Sequence, residues 1–79
     1  MEAVILINAD PRLIWEVAEA AMKVRGVKMA YAVTGQFDDV VFAEFSKMEE
    51  LAKIIEEIQG IAGVRRTQTL ITVPRPVRE

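Results

Sequence analysis

The chain has 79 residues, 52% of them apolar, and a formal charge of −2 from 10 basic and 12 acidic side chains. It contains no cysteine and no histidine, which excludes disulfides, thiol catalysis and the usual imidazole base or metal ligand. No cofactor is predicted. No apolar run is as long as a transmembrane helix or the core of a secretory leader, so a cytoplasmic protein without membrane contact is expected.

The first predicted strand is the apolar run Ala3 to Asn8. A run without alternation is typical of a strand that is buried on both faces. A chain this short has helices for only one face of a sheet, and it buries only about 60% of its unfolded surface. We therefore expect the open face of the sheet to be a subunit interface. The alternative is a central strand whose open face is only mildly apolar.

Two helices are predicted. Asp10 and Pro11 suit the N-cap and first position of the first helix, and Gly26 suits its end. Ser46 and Glu49 have the spacing of a capping box at the start of the second helix. The apolar stripes are Ile14, Val17, Ala18, Ala21 and Val24 in the first helix, and Met48, Leu51, Ala52, Ile54, Ile55 and Ile58 in the second.

A hairpin is predicted between the helices, with strands from Val27 to Thr34 and from Val40 to Phe45. The turn between them contains Gly35 and Asp38. Glycine accepts backbone angles closed to other residues and leaves room for a ligand, and an aspartate can hold an ammonium group or cap backbone N–H groups. An ordinary hairpin turn with solvated polar residues is the simpler interpretation.

The last predicted strand runs from Val64 to Val73, and Pro74 and Pro76 end its pairing. The predicted order is strand, helix, strand, strand, helix, strand. Two right-handed βαβ units of this kind form the α+β ferredoxin-like βαββαβ fold, a four-stranded antiparallel sheet with two helices on one face. A single domain over residues 1–73 with a tail over 74–79 is expected.

The chain resembles the effector-binding (RAM) domain of the Lrp/AsnC transcriptional regulators over residues 3–73. The resemblance is carried by the opening strand AVILIN, the segment Tyr31 to Asp38 with its T-G-x-[YF]-D turn, and the segment Gly63 to Leu70, which is similar to the family's G-V-x-x-T-x-T ending. Full-length members also carry an N-terminal helix-turn-helix domain, for which this chain has no room. The resemblance is therefore to a stand-alone form of the domain, without direct DNA binding.

The resemblance implies a dimer through the open sheet face, further assembly up to an octamer, and an amino acid effector bound between dimers. It also implies mixed assembly with full-length Lrp/AsnC regulators. In this role Asp38 would bind the α-ammonium group and Gly35 would let the ligand approach the backbone. The implied ligand-binding residues are Tyr31, Thr34, Gly35, Gln36, Phe37, Asp38, Thr67 and Thr69.

Three other functions are weighed. A purely structural oligomerisation domain without a ligand is the main alternative. A small ferredoxin-like enzyme would need Asp38, Asp39 or Glu44 as its base, and no enzyme is expected. Nucleic-acid binding would rest on arginines without interleaved aromatic residues, a weak pattern. These arginines are Arg65, Arg66, Arg75 and Arg78.

Overall fold

The computed structural model describes residues 1–73, so the predicted tail over 74–79 lies outside the described residues. The chain forms the predicted βαββαβ order. The strands are β1 (Glu2–Ala9), β2 (Val27–Ala32), β3 (Asp39–Glu44) and β4 (Val64–Ile71), and the helices are α1 (Ile14–Ala21) and α2 (Met48–Gln59).

The sheet has the strand order β2-β3-β1-β4, and every pairing is antiparallel. β1 lies between β3 and β4, with Ile5 opposite Val41 on one side and Thr69 on the other. The apolar run of β1 therefore forms a central strand, and within one chain its residues on the open face are half-buried. This register decides which side chains of three strands share a face.

The core lies between the sheet and the two helices. Alternate residues of β1 are buried on the helix face, and so are alternate residues of β3, beginning with Asp39. The main cluster of buried residues is Ile5, Ile7, Ala9, Val17, Ala21, Val24, Val41, Ala43, Ile54 and Ile58. A second cluster contains Ala3, Phe45 and Leu51. The opposite face of the sheet is left without a covering layer by the described residues.

The first helix differs from the prediction at both ends. Residues Pro11–Leu13 form a 3-10 turn, and α1 begins only at Ile14. Asp10 caps the 3-10 turn by accepting a hydrogen bond from the Arg12 N–H at 2.9 Å. Helix α1 ends at Ala21, so Gly26 is not its terminal residue but the last residue of the turn that leads into β2. The stripe prediction holds, because Val17, Ala18, Ala21 and Val24 are buried and Ile14 is half-buried.

The second helix begins one residue later than the capping box predicted. Its N-cap is Lys47, and the acidic partner is Glu50 instead of Glu49. Glu50 Oε1 accepts hydrogen bonds from the Ser46 N–H at 2.7 Å and the Lys47 N–H at 3.5 Å. These bonds hold the pKa of the Glu50 carboxyl below its usual value. Met48 and Ala52 were assigned to the buried stripe, but both are exposed.

Replacing Gly26 with alanine is expected to destabilise the domain by about 2 kcal/mol or more, because two costs add. The backbone of Gly26 has a φ of 100°, and an added Cβ would lie 2.8 Å from the Ile54 Cδ1 atom. Gly35 has a similar φ of 118° but nothing within 4 Å of its Cβ position. Thermal denaturation should therefore show a larger decrease in Tm for Gly26→Ala than for Gly35→Ala. Equal decreases in Tm would show that the contact with Ile54 does not contribute.

Candidate functional site

The turn between β2 and β3 is fastened to the end of β1. The Asp38 N–H donates to the Ile7 carbonyl at 2.8 Å, and the Val33 N–H donates to the Asp38 carbonyl at 2.9 Å. The Asn8 side-chain amide donates to the Gln36 carbonyl at 2.8 Å. These bonds join the turn to the central strand, so the position of the turn is defined by the sheet.

Asp38 is half-buried, and its carboxylate is fixed in orientation. Its Oδ2 atom accepts a hydrogen bond from the Ala9 N–H at 2.7 Å, just where β1 ends. Asp38 therefore does bind a backbone N–H group, but this group belongs to the end of β1 and not to the turn that Asp38 was expected to cap. A carboxylate has about four lone-pair sites, so one bond to Ala9 leaves acceptor capacity for a cationic donor.

Gly35 serves the turn through its backbone conformation. Its φ of 118° lies in the left-handed region that favours glycine, and apart from Gly35 and its two chain neighbours no atom of residues 1–73 lies within 4 Å of the position that a Cβ would take. Thr34 and Gln36 are exposed beside it, and Phe37 is half-buried. The turn thus presents an open approach to its backbone, with Asp38 at one end.

Tyr31 is predicted to line the same site, but it lies on the open face of the sheet. It is opposite Val40 in the register and packs edge to face on Phe42, with the ring centroids 6.2 Å apart. Tyr31 therefore belongs to the apolar surface of the sheet within one chain.

Thr67 and Thr69 lie on the helix face of β4. Thr69 is opposite Ile5 and Thr67 is opposite Ile7, and both of these isoleucines are buried in the core. The Thr67 hydroxyl accepts a hydrogen bond from the side-chain amide of Gln59 in α2 at 3.1 Å. One chain therefore does not bring the two threonines and Tyr31 together on one face.

Asp39 is a buried polar residue that is not among the predicted ligand-binding residues. The sequence suggested it only as a possible base for an enzyme. Its side chain is 0% exposed, and neither carboxylate oxygen has a hydrogen-bond partner among residues 1–73. Burial, and secondarily the neighbouring Asp38 carboxylate, raises the pKa of Asp39 to about 6. The strand parity could have identified it, because Asp39, Val41 and Ala43 share the buried face.

The remaining candidates of the alternative functions are placed elsewhere. Glu44 is exposed at the far end of β3, 3.7 Å from the Lys28 ammonium nitrogen. Arg65 is exposed and lies 3.9 Å from Asp10, whose pKa is held well below its usual range by the hydrogen bonds from Arg12. Arg66 is exposed, whereas Arg75 and Arg78 lie outside the described residues.

Two clefts of the single chain lie away from the turn. A cleft of about 570 Å³ lies between Gly26 and α2, and a smaller one of about 140 Å³ lies on the open face near Phe42. Neither cleft is lined by a residue of the turn. Within the described part of the chain, no group of three or more acidic side chains is placed to hold a metal ion. No helix in that same part is long and apolar enough to cross a membrane.

The open face of the sheet carries a contiguous apolar surface. Tyr31, Phe42 and Leu70 are 40 to 47% exposed, and they project from three different strands. Polar side chains surround this centre, among them the Lys28–Glu44 pair. The apolar members of the surface, hereafter the open-face patch, are Val4, Leu6, Met29, Tyr31, Val40, Phe42 and Leu70. A patch with a polar rim is typical of a protein–protein interface.

The family model and the similar proteins found by comparison point to the same family. The family model described as the Lrp/AsnC ligand binding domain matches residues 2–79. An uncharacterized HTH-type transcriptional regulator, PH1692 of Pyrococcus horikoshii, is 30% identical over 73 residues, which are 92% of this chain and 49% of that protein. The chain spans about half the length of the curated relatives it matches.

Solved structures share the fold. The crystal structure of TTHA0845 from Thermus thermophilus superposes with a TM-score of 0.89 at 29% identity, covering 98% of both chains. The transcriptional regulator NMB0573 from Neisseria meningitidis, solved as a complex with L-Met, superposes with a TM-score of 0.81 at 19% identity. That match covers 98% of this chain and 52% of the regulator.

Proposed function

Because the chain belongs to the Lrp/AsnC ligand-binding domain family, we propose that it is an oligomerising regulatory domain that binds a free amino acid at the β2–β3 turn. Its family relatives are transcriptional regulators, which points away from an enzyme and towards regulation in the cytoplasm. The Neisseria regulator of the same fold forms a complex with L-Met, which supports an amino acid as the class of effector.

Asp38 carries the binding part of this proposal. Its carboxylate is oriented by the 2.7 Å bond from the Ala9 N–H and is only half-buried, so an ammonium group can reach it from solvent. A charge-assisted hydrogen bond to a fixed carboxylate is stronger than one to a neutral group. Thr34, Gly35, Gln36 and Phe37 would line the approach.

The open-face patch carries the assembly part. Two copies that meet through this face would cover their exposed Tyr31, Phe42 and Leu70 side chains by two-fold symmetry. A second dimer would then have to complete the wall of the ligand site, because one chain leaves the turn open. Tyr31, Thr67 and Thr69 belong to the site only in such a larger assembly, up to an octamer.

The same face can pair with a full-length regulator of this family. The curated relatives are HTH-type regulators about twice as long as the region matched. Mixed assembly would place this domain beside a DNA-binding subunit, and ligand binding would shift the assembly equilibrium by linkage. The domain itself is not proposed to contact nucleic acid.

Asp38→Asn is expected to weaken amino acid binding by about 10- to 100-fold, because a neutral amide oxygen replaces the carboxylate that holds the ammonium group. The asparagine oxygen can still accept the Ala9 N–H, so the turn should keep its shape. Isothermal titration with each of the twenty amino acids measures this effect. Glu19→Gln, which removes an exposed charge on α1, is the matched control.

Two results would contradict the proposal. If the wild-type protein stays oligomeric and binds none of the twenty amino acids at millimolar concentration, a purely structural domain is favoured. Equal affinity of the wild-type protein and Asp38→Asn would remove Asp38 from the site.

A further inference from the structure

The carboxyl group of Asp39 lies directly below the turn that carries Asp38. It is the first residue of β3, and it faces the core between Ile7 of β1 and Ala32 of β2. It is completely covered, and within residues 1–73 no N–H or O–H group donates to it. A buried carboxylate without a donor is costly, and a nearby positive charge or contact with water would relieve that cost.

The charged groups around Asp39 do not provide that relief. Asp38, the preceding residue in the turn, has the same charge and raises the pKa of Asp39 further. The residues that β1 and β2 place opposite it are apolar, and the nearest charge beyond the end of β1 is Asp10, which is paired with Arg12. Three elements pack on β3, and their other charged side chains are exposed: Glu2 on β1, Lys28 on β2, and Glu16 and Glu19 on α1.

We propose that Asp39 makes the β2–β3 turn sensitive to protons: its ionisation increases the minor population in which the turn is open at the contacts with β1 and the Asp38 carboxylate is released, and its protonation decreases that population again. The closed form is the one described here, with the Asp38 carboxylate bound to Ala9 and the Gln36 carbonyl bound to Asn8.

The opening is local because only three bonds described above fasten the turn to β1: those from Asn8 and Ala9, and the one from the Asp38 N–H to the Ile7 carbonyl. The bond from Asn8 to Gln36 is exposed, and the bond from Ala9 to Asp38 is only partly buried. The pKa of Asp39 is raised from 3.8 to about 6, and each unit of this shift is a tenfold change in the balance between the covered and the hydrated carboxyl. Ionisation therefore favours the open turn by up to about 100-fold.

The consequence for ligand binding rests on the function proposed above, whereas the opening of the turn does not. The ionised Asp39 would add a second negative charge beside the Asp38 carboxylate, which attracts an ammonium group. Binding of an ammonium group would then strengthen as the pH rises through about 6.

The test is amide hydrogen exchange of the ligand-free protein between about pH 4.5 and 7.5, corrected for the intrinsic rate at each pH. Three amides report the turn, since they donate its bonds: those of Ala9, Val33 and Asp38. Their protection is expected to fall by about 25-fold over this range, because part of the full change already occurs below pH 4.5. In Asp39→Asn, whose side chain cannot ionise, the protection of these amides should not change with pH. Titration of the Asp39 carboxyl carbon by NMR should give a midpoint near 6.

The amides in the centre of β1 and β3 separate local opening from unfolding. If the turn amides exchange at every pH only as fast as the central sheet amides, the turn does not open by itself and the proposal is wrong. It is also wrong if Asp39→Asn keeps the wild-type pH dependence, or if Asp39 titrates near its ordinary value of 3.8. These outcomes are independent of whether any amino acid binds.

Discussion

Asp39→Asn is expected to raise the free energy of unfolding at pH 7 by about 2 kcal/mol, equivalent to about 10 °C in Tm for a domain of this size. The covered carboxylate of Asp39 has no hydrogen-bond partner among the described residues, and its pKa is about 6 instead of 3.8. That shift corresponds to about 3 kcal/mol of destabilisation at neutral pH, and the unpartnered amide of the variant takes back about 1 kcal/mol of the gain.

The stabilisation should appear in a defined pH window. Below pH 3.8 both the folded and the unfolded protein hold the Asp39 proton, so the charge costs nothing. Between 3.8 and about 6 the unfolded chain releases the proton that the folded protein keeps, so the wild-type protein loses stability as the pH rises. Above about 6 the loss is complete. The difference between wild type and variant should therefore grow through this window and then stay constant.

Chemical denaturation at a series of pH values and fixed protein concentration measures this difference. Glu44→Gln is the matched control, because Glu44 is at the other end of the same strand and its exposed pair with Lys28 contributes little. Asp39→Val should stabilise at least as much, since it continues the apolar alternation of Val41 and Ala43. A destabilised Asp39→Asn at pH 7 would show that the carboxylate has a partner that only the assembled protein supplies.

Phe42→Glu is expected to convert the assembled protein to monomers. Phe42 lies at the centre of the open-face patch and packs against Tyr31, so a dimer through this face would bury it completely. The substitution removes about 2 kcal/mol of apolar burial per subunit and buries an unpaired carboxylate in its place. Together these terms weaken dimerisation by at least about 1000-fold.

Light scattering after size exclusion measures the mass of both proteins. Trp15→Glu is the matched control, since Trp15 is an exposed aromatic residue on α1, in the other layer, with 68% of its surface accessible. It should leave the sheet-face dimer intact. A Phe42→Glu protein with the wild-type mass would place the interface elsewhere, and a monomeric wild-type protein would contradict the interface altogether.

Much of the fold follows from signals between near neighbours in the sequence. The alternation in β3, the stripe of α1 and the apolar run of β1 each depend on one element and the face it buries. The order of elements along the chain and the open face of the sheet could therefore be predicted. Helix ends were less accurate. Asp10 and Pro11 predicted the start of α1, but they form a 3-10 turn, and Ser46 predicted an N-cap that is one residue early. At the start of each helix more than one residue can serve as the N-cap, and packing selects among them.

The sequence by itself determined the family, the sheet with one covered face, and the turn with Gly35 and Asp38. Only the tertiary structure decided what those polar residues contact. The register of β3 on β1 brings the Asp38 carboxylate to the Ala9 N–H and turns Asp39 into the core, and the crossover through α2 puts Thr67 against Gln59. A hydrogen bond between residues 29 positions apart depends on which strands are neighbours. Residue type and local spacing do not contain that information, because it arises only when the chain folds.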